Sequence, residues 1–149
     1  MIRKLEQKDK EIFLRFTREF YASDAVLHPV PDVFHTDIFA EMMRSDQYAE
    51  GFLIESEGAP AGYALIAKTY SHECGGLSIW IEEIYISPED RGKGLGKEFF
   101  DYLETTYGGI ARRFRLEVEP ANQQAQRLYR RLGFEPLEYK QMVKDQKYD

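Results

Sequence analysis

Apolar positions near the start of the chain recur at helical spacing, with Ile12, Phe13, Phe16 and Phe20 on one face. This predicts a first helix over about 7–21. The stretch from Ala22 to His35 loses that period and contains Pro29 and Pro31, which predicts an irregular loop. Thr36 is placed to cap a second helix, in which the Ile38/Met42 and Phe39/Met43 pairs sit four apart. From Gly51 the pattern turns to short apolar runs. Phe52–Ile54 and 62–70 read as two strands joined by the turn Glu57-Gly58-Ala59-Pro60, and 77–86 as a third after a break at 71–76. Ser87-Pro88-Glu89-Asp90 ends that strand. A glycine-rich turn follows, then a helix with Leu95, Phe99, Tyr102 and Leu103 inward, closed by Gly108-Gly109. A strand is predicted at 114–119. Asn122 then caps a helix with Ala125, Leu128, Tyr129 and Leu132 inward, stopped by Gly133, and a last strand is predicted at 139–143. The hairpin makes the sheet at least partly antiparallel, so the expected class is α+β (mixed α/β). Without repeats or linkers, residues 1–149 read as one domain.

Composition narrows the function classes. The charged share of 31% and hydrophobic share of 43% are ordinary for a globular chain. No apolar run approaches the ~20 residues that span a bilayer, and the charged start lacks a signal-peptide core. One cysteine, Cys74, excludes an internal disulfide framework and fits a reducing compartment. The expectation is a soluble cytoplasmic protein without a membrane partner. A net charge of −6 argues against a general nucleic-acid binder. The charge is uneven, however. Between Arg91 and Arg131 nine Lys/Arg face five Asp/Glu, so this stretch carries +4 and the remainder −10. A positive segment in an acidic chain suits a small ligand bearing phosphates.

The candidate phosphate site is Arg91-Gly92-Lys93-Gly94-Leu95-Gly96, followed by Lys97, between a strand and a helix. Three alternate glycines let the backbone curl without side chains in the concavity, so amides can converge on an anion at a helix N-terminus. Two better-known phosphate motifs do not fit. A P-loop needs Ser or Thr where Glu98 stands and an earlier glycine that is missing. The dinucleotide fingerprint needs its third glycine one residue later.

Arg-Gly-x-Gly-x-Gly after a strand ending in Tyr-Ile-Ser-Pro, with Asn122, Tyr129 and Leu132-Gly133-Phe134 downstream, resembles the GNAT superfamily of N-acetyltransferases. The resemblance covers the chain in element order, with the specific motifs between Trp80 and Phe134. It implies a twisted mixed sheet flanked by helices, in which two neighbouring strands splay and admit the pantetheine arm of acetyl-CoA. It further implies that Ile84, Tyr85 and Ile86 offer backbone partners to the arm. Arg91 to Lys97 would hold the pyrophosphate, and Asn122, Ala125 and Tyr129 would meet the cofactor from the next helix. Dimers are common in that family, so a homodimer is an expectation of the same kind.

The implied chemistry is attack of an amine on a thioester. An amine of pKa ~10 arrives protonated and must give up that proton, and the departing thiolate needs an acid. Tyr129 follows Asn122 by seven residues, two helical turns, and the resemblance makes it that acid. Glu82 and Glu83 interrupt an apolar strand. Adjacent strand residues point to opposite faces, so one of them faces a given cleft. Glu82 shares alternation with Ile84 and Ile86 and matches the glutamate of polyamine-type members. It is taken first as substrate anchor or water-mediated base, with Glu83 second. Tyr21, Tyr63 and Trp80 read as core aromatics, His28 and His35 as surface histidines, and Arg127, Arg130 and Arg131 as phosphate neighbours or a solvated face. No metal-ligand spacing exists. The expected acceptor is the primary amine of a small molecule. A protein lysine or N-terminus, or acetyl-CoA binding without turnover, are the alternatives.

Overall fold

The computed structural model describes residues 1–147, in two compact units, one from Met1 to Glu117 and another starting at Val118. The first unit contains β1 (Ile2–Lys4), α1 (Lys10–Tyr21), α2 (Val33–Arg44), β2 (Ala49–Ser56), β3 (Ala59–Ser71), β4 (Gly76–Ile86), α3 (Leu95–Tyr107) and β5 (Ala111–Leu116). The second contains α4 (Gln123–Arg131). The five strands form one sheet in the order β1-β2-β3-β4-β5, antiparallel up to β4, with β5 added parallel through the α3 crossover. The mixed α+β class is as expected. No helix among the described residues is long and apolar enough to cross a membrane.

Four elements differ from the sequence reading. Strand β5 runs Ala111–Leu116 rather than 114–119, its bounds set by pairing with Leu77–Ile81 of β4. The short β1 gave too few apolar positions to show a period; it is fixed by pairing Ile2–Lys4 with Phe52–Ile54 of β2. Helix α2 starts at Val33 rather than after Thr36, whose hydroxyl donates back to the Val33 carbonyl at 2.8 Å instead of capping. Residues 139–143 are not a strand: Tyr139, Met142 and Val143 are exposed, and the described residues of the second unit hold no strand to pair with them. A short run of this kind becomes a strand only with a ladder partner.

The two faces of the sheet follow from adjacent residues. Leu53 joins a core with Phe13 and Phe16 of α1, Phe39 and Met42 of α2, and Tyr63, Leu65 and Tyr85. Its neighbour Phe52 points the other way and meets Phe99 and Tyr102 of α3, ring centroids 5.7 and 5.5 Å away. One point of very close approach joins β3 to β4. A Cβ at Gly62 would lie 2.0 Å from the Tyr85 carbonyl oxygen and 3.0 Å from the Ile86 Cα, both backbone atoms of the ladder. Gly62→Ala is therefore expected to destabilise the fold by ~1–3 kcal/mol or more, as overpacking does, read as a lowered urea midpoint. An unchanged midpoint would show that β4 yields there without loss.

Candidate active site

The register of β3 against β4 slips once. Ile66 pairs with Ile81, but Leu65 pairs with Glu83, so Glu82 sits unopposed in a β-bulge. The bulge shifts the phase of alternation. Ile79 and Ile81 before it share a face with Ile84 and Ile86 after it, while Trp80 shares a face with Glu83 and Tyr85. The simple alternation that grouped Glu82 with Ile84 and Ile86 is broken at Glu82 itself.

Glu83 lies on the α1/α2 face, opposite Leu65, and is half-buried. Its Oε1 accepts from the Tyr63 hydroxyl at 2.8 Å and its Oε2 from the Tyr21 hydroxyl at 2.5 Å. Both phenols are raised well above the ordinary tyrosine value, first by burial and then by the adjacent Glu83 charge. Glu82 is exposed along much of its side chain, yet its carboxyl pKa is raised by desolvation, then by Glu117 and Glu83. The Glu82 carboxyl is thus partly desolvated and faces like charges. The parallel ladder explains where this lies. Pairing of β4 with β5 ends at Ile81 opposite Leu116, and Glu117 follows, so β4 outruns β5 from the bulge onward. Three carboxylates thus gather where the two strands part.

Beyond β4 the chain turns into α3. Gly92 and Gly94 have φ of 77° and 78°, in the left-handed region that favours glycine. Apart from the adjoining residues and the backbone of α3 itself, no atom of the described chain lies within 4 Å of a Cβ built at Gly92, Gly94 or Gly96, so the turn opens onto unfilled space. The first bond of the α3 ladder runs from the Glu98 N–H to the Gly94 carbonyl at 3.0 Å. The amides of Leu95, Gly96 and Lys97 therefore precede the ladder, at the positive end of the helix dipole. This cradle fits a pyrophosphate. The cations around it are held by the chain: Arg91 Nε donates to the Ile86 carbonyl at 3.0 Å, and Lys93 and Lys97 pair with Asp90 and Asp101 at 2.9 and 2.7 Å. These pairs are exposed, so a phosphate can exchange with them at little loss.

Two of the expected cofactor residues act elsewhere with their side chains. Leu95 is buried in the core. Tyr85 packs 5.7 Å from Phe16, and its hydroxyl donates to Glu19 at 2.5 Å, the pKa pushed up to about 12 by burial and then by that bond. What Tyr85 retains for a ligand is backbone.

In the second unit, Asn122 caps α4, its Oδ1 accepting from the Ala125 N–H at 3.1 Å. The helix ends in a Schellman motif, with Gly133 at φ 94°, its N–H on the Arg130 carbonyl, and the Phe134 N–H on that of Tyr129. Tyr129 is half-buried, 6.0 Å from the Phe134 ring, and burial raises its hydroxyl pKa. Arg127, Arg130 and Arg131 are exposed on this helix.

Sequence reasoning missed the polar side of the aromatic core. His35 was read as a surface residue in a loop, but the earlier start of α2 places it on that helix, 6% exposed. Its Nδ1 lies 3.3 Å from Thr17 Oγ1, and Thr17 lies 3.3 Å from the Tyr63 hydroxyl. No spacing along the chain signals this group, because its members come from α1, α2, β3 and β4. His28 is exposed, and Trp80 stacks under the Arg115 guanidinium, 3.9 Å from its centroid.

The fold is shared with solved acetyltransferase structures. A possible acetyltransferase from Clostridium difficile 630 superposes with a TM-score of 0.85 at 17% identity, covering 99% of this chain and 98% of that one. Aminoglycoside N-acetyltransferase AAC(6')-Iy, in complex with the bisubstrate analog CoA-S-monomethyl-acetylneamine, gives 0.79 at 20% identity over 99% and 98%. These likenesses define the class by fold. The sequence profile of the acetyltransferase (GNAT) family matches residues 10–134, and the chain belongs to that family, the acetyl-CoA-dependent N-acetyltransferases. A Bacillus subtilis protein assigned as a ribosomal protein bS18-alanine N-acetyltransferase is 35% identical over 108 residues, 67% of this chain and 63% of that protein. The thialysine N-epsilon-acetyltransferase of Bos taurus is 28% identical over 151 residues, 92% of this chain and 85% of that enzyme.

Proposed function

We propose that this chain, acting over residues 1–149 as one domain, transfers an acetyl group from acetyl-CoA to the primary amine of a small molecule by direct attack in a ternary complex. The observation that carries this reading is the gathering of Glu82, Glu83 and Glu117 where β4 outruns β5, beside the glycine turn. A cluster of carboxylates attracts an ammonium group, and the neighbouring glycine cradle fits the phosphates of the donor. Glu82 takes first place as substrate anchor or water-mediated base, its carboxyl pKa being raised by desolvation and then by Glu117 and Glu83. Glu83 is the second carboxylate. Ile84, Tyr85 and Ile86 offer backbone groups to the pantetheine arm, Arg91 to Lys97 hold the pyrophosphate, and Asn122 and Ala125 meet the arm from α4. Tyr129, kept protonated at neutral pH by its raised pKa, gives a proton to the departing sulfur.

The thialysine and aminoglycoside enzymes support a small acceptor by their own substrates. The Bacillus relative favours a second reading, a protein N-terminus. Thiol release should be followed with thialysine, an aminoglycoside, a polyamine and an alanine-terminated peptide. Turnover with a small amine above the peptide is the expected result, and preference for the peptide exchanges the two readings. Acetyl-CoA binding without thiol release from any of them would make the chain a non-catalytic module.

Glu82→Gln should raise the acceptor KM, or lower kcat/KM, with little change for acetyl-CoA. Only the carboxylate accepts a proton, so kcat/KM should rise with pH through the raised Glu82 pKa. The variant should lose that acid limb. A damaging Glu83→Gln beside a silent Glu82→Gln would exchange their roles.

A further inference from the structure

The buried group His35–Thr17–Tyr63 ends on Glu83, and hydroxyl counting gives it a direction. Tyr63 has one O–H and two candidate acceptors, Glu83 Oε1 at 2.8 Å and Thr17 Oγ1 at 3.3 Å. The shorter, charge-assisted bond to a carboxylate takes that proton. The 3.3 Å contact then requires the Thr17 hydroxyl to donate to the Tyr63 oxygen. Thr17 has spent its proton there, so at its 3.3 Å contact with His35 it can act only as acceptor, and His35 must carry a hydrogen on Nδ1. All three groups are buried, at 6%, 1% and 0% exposure, where an undirected or unmade bond is costly.

We infer that His35, Thr17 and Tyr63 form a one-way donor chain that positions Glu83 as an anchor for the acceptor's ammonium group. This rests on the reading of the carboxylate cluster as the amine site. Tyr21 closes the other oxygen, donating to Oε2 at 2.5 Å, so both oxygens of Glu83 are fixed by phenols while Glu82, one residue away, is left to titrate. The two carboxylates thereby divide the work: the phenols and the donor chain fix the place of Glu83, and Glu82 accepts the proton. His35, Thr17 and Tyr63 are positioning residues, since each acts on the substrate through Glu83. The aromatic packing sets their rotamers. Tyr63 is held edge-on by Phe13 at 5.3 Å and Phe20 at 6.2 Å, and the Tyr21 ring meets His35 at 5.2 Å.

The chain is tested without any acceptor by the tautomer of His35, read from two-bond nitrogen–proton couplings in imidazole-labelled protein at about pH 8, where an ordinary histidine is neutral. Wild type should show His35 as the Nδ1–H tautomer, and Thr17→Val, which removes the accepting oxygen, should return it to the Nε2–H form that free imidazole side chains prefer. An Nε2–H tautomer in wild type overturns the chain, because His35 would then accept from Thr17 and the bonds would point away from Glu83. The positioning role is tested with thialysine as acceptor. Thr17→Val and Tyr63→Phe should raise its KM about three- to tenfold, roughly the net value of one weakened hydrogen bond to a charge, with kcat and the acetyl-CoA KM unchanged. Thr17→Ser should restore wild-type values. Unchanged KM in Thr17→Val and Tyr63→Phe, beside a raised KM in Glu83→Gln, overturns the chain alone. Unchanged KM in Glu83→Gln overturns the anchoring role on which the chain depends.

Discussion

Tyr129→Phe should fold normally, bind acetyl-CoA nearly as tightly as wild type, and turn over ~10²–10⁴-fold more slowly, the usual contribution of a positioned general acid. The substitution keeps the ring, so its 6.0 Å contact with Phe134 survives and the Schellman end of α4 is untouched. Only the hydroxyl is lost. Burial raises the pKa of that hydroxyl above the usual ~10, so at neutral pH it carries its proton and is competent to give it to a thiolate of conjugate pKa ~8.5. The sign of the pH effect follows. A donor must be protonated, so the base limb of kcat due to Tyr129 should lie above pH ~10 and be absent from the neutral range. Steady-state rates alone would hide the effect if product release were slow, so single-turnover rates are required, with thermal melts in the presence and absence of acetyl-CoA. A wild-type single-turnover rate in a folded Tyr129→Phe protein would make Tyr129 a packing residue.

Gly94→Val should weaken acetyl-CoA binding by roughly tenfold or more, equivalent to about 1.4 kcal/mol. The isopropyl group would enter the space onto which the turn opens, the space assigned to the pyrophosphate. Gly94 also has φ of 78°, and a left-handed L-residue costs about 1–2 kcal/mol, so part of any loss could come from a distorted turn. Gly96→Leu separates the two causes. Gly96 lies in the first turn of α3 without a left-handed φ, and its Cβ position is equally open, so leucine there strains nothing in the free protein. It should melt at or above the wild-type temperature, since a glycine in a helix is less stable than most residues, while still losing affinity. Wild-type affinity in both folded variants would remove the phosphate assignment.

How much of this was legible along the chain depended on how local each signal is. The periods of α1 and α3, the hairpin of β2 and β3, the glycine turn and the Asn122 cap with its Gly133 stop all arise from residues within a few positions of one another, and each was read correctly. The glycine turn could be recognised because its open, left-handed backbone needs the absence of side chains, which a sequence displays directly. What the sequence could not display was anything set by partners distant in the chain. Helix α2 starts at Val33, next to Asp32 bonded to Arg18 at 2.8 and 3.0 Å, and that earlier start places His35 on the helix, where it is buried. The run at 139–143 was expected as a strand and has none to pair with among the described residues of its unit. Most consequential was the bulge at Glu82. Two adjacent glutamates in a strand imply opposite faces, but only the pairing of Leu65 with Glu83 and Ile66 with Ile81 fixes where the alternation breaks. By itself the sequence determined most of the elements, the family and the open glycine turn, because local geometry needs only neighbours. The tertiary structure decided which carboxylate is clamped and which is open, because register, burial and the partners of a buried hydroxyl exist only once the strands and helices have met.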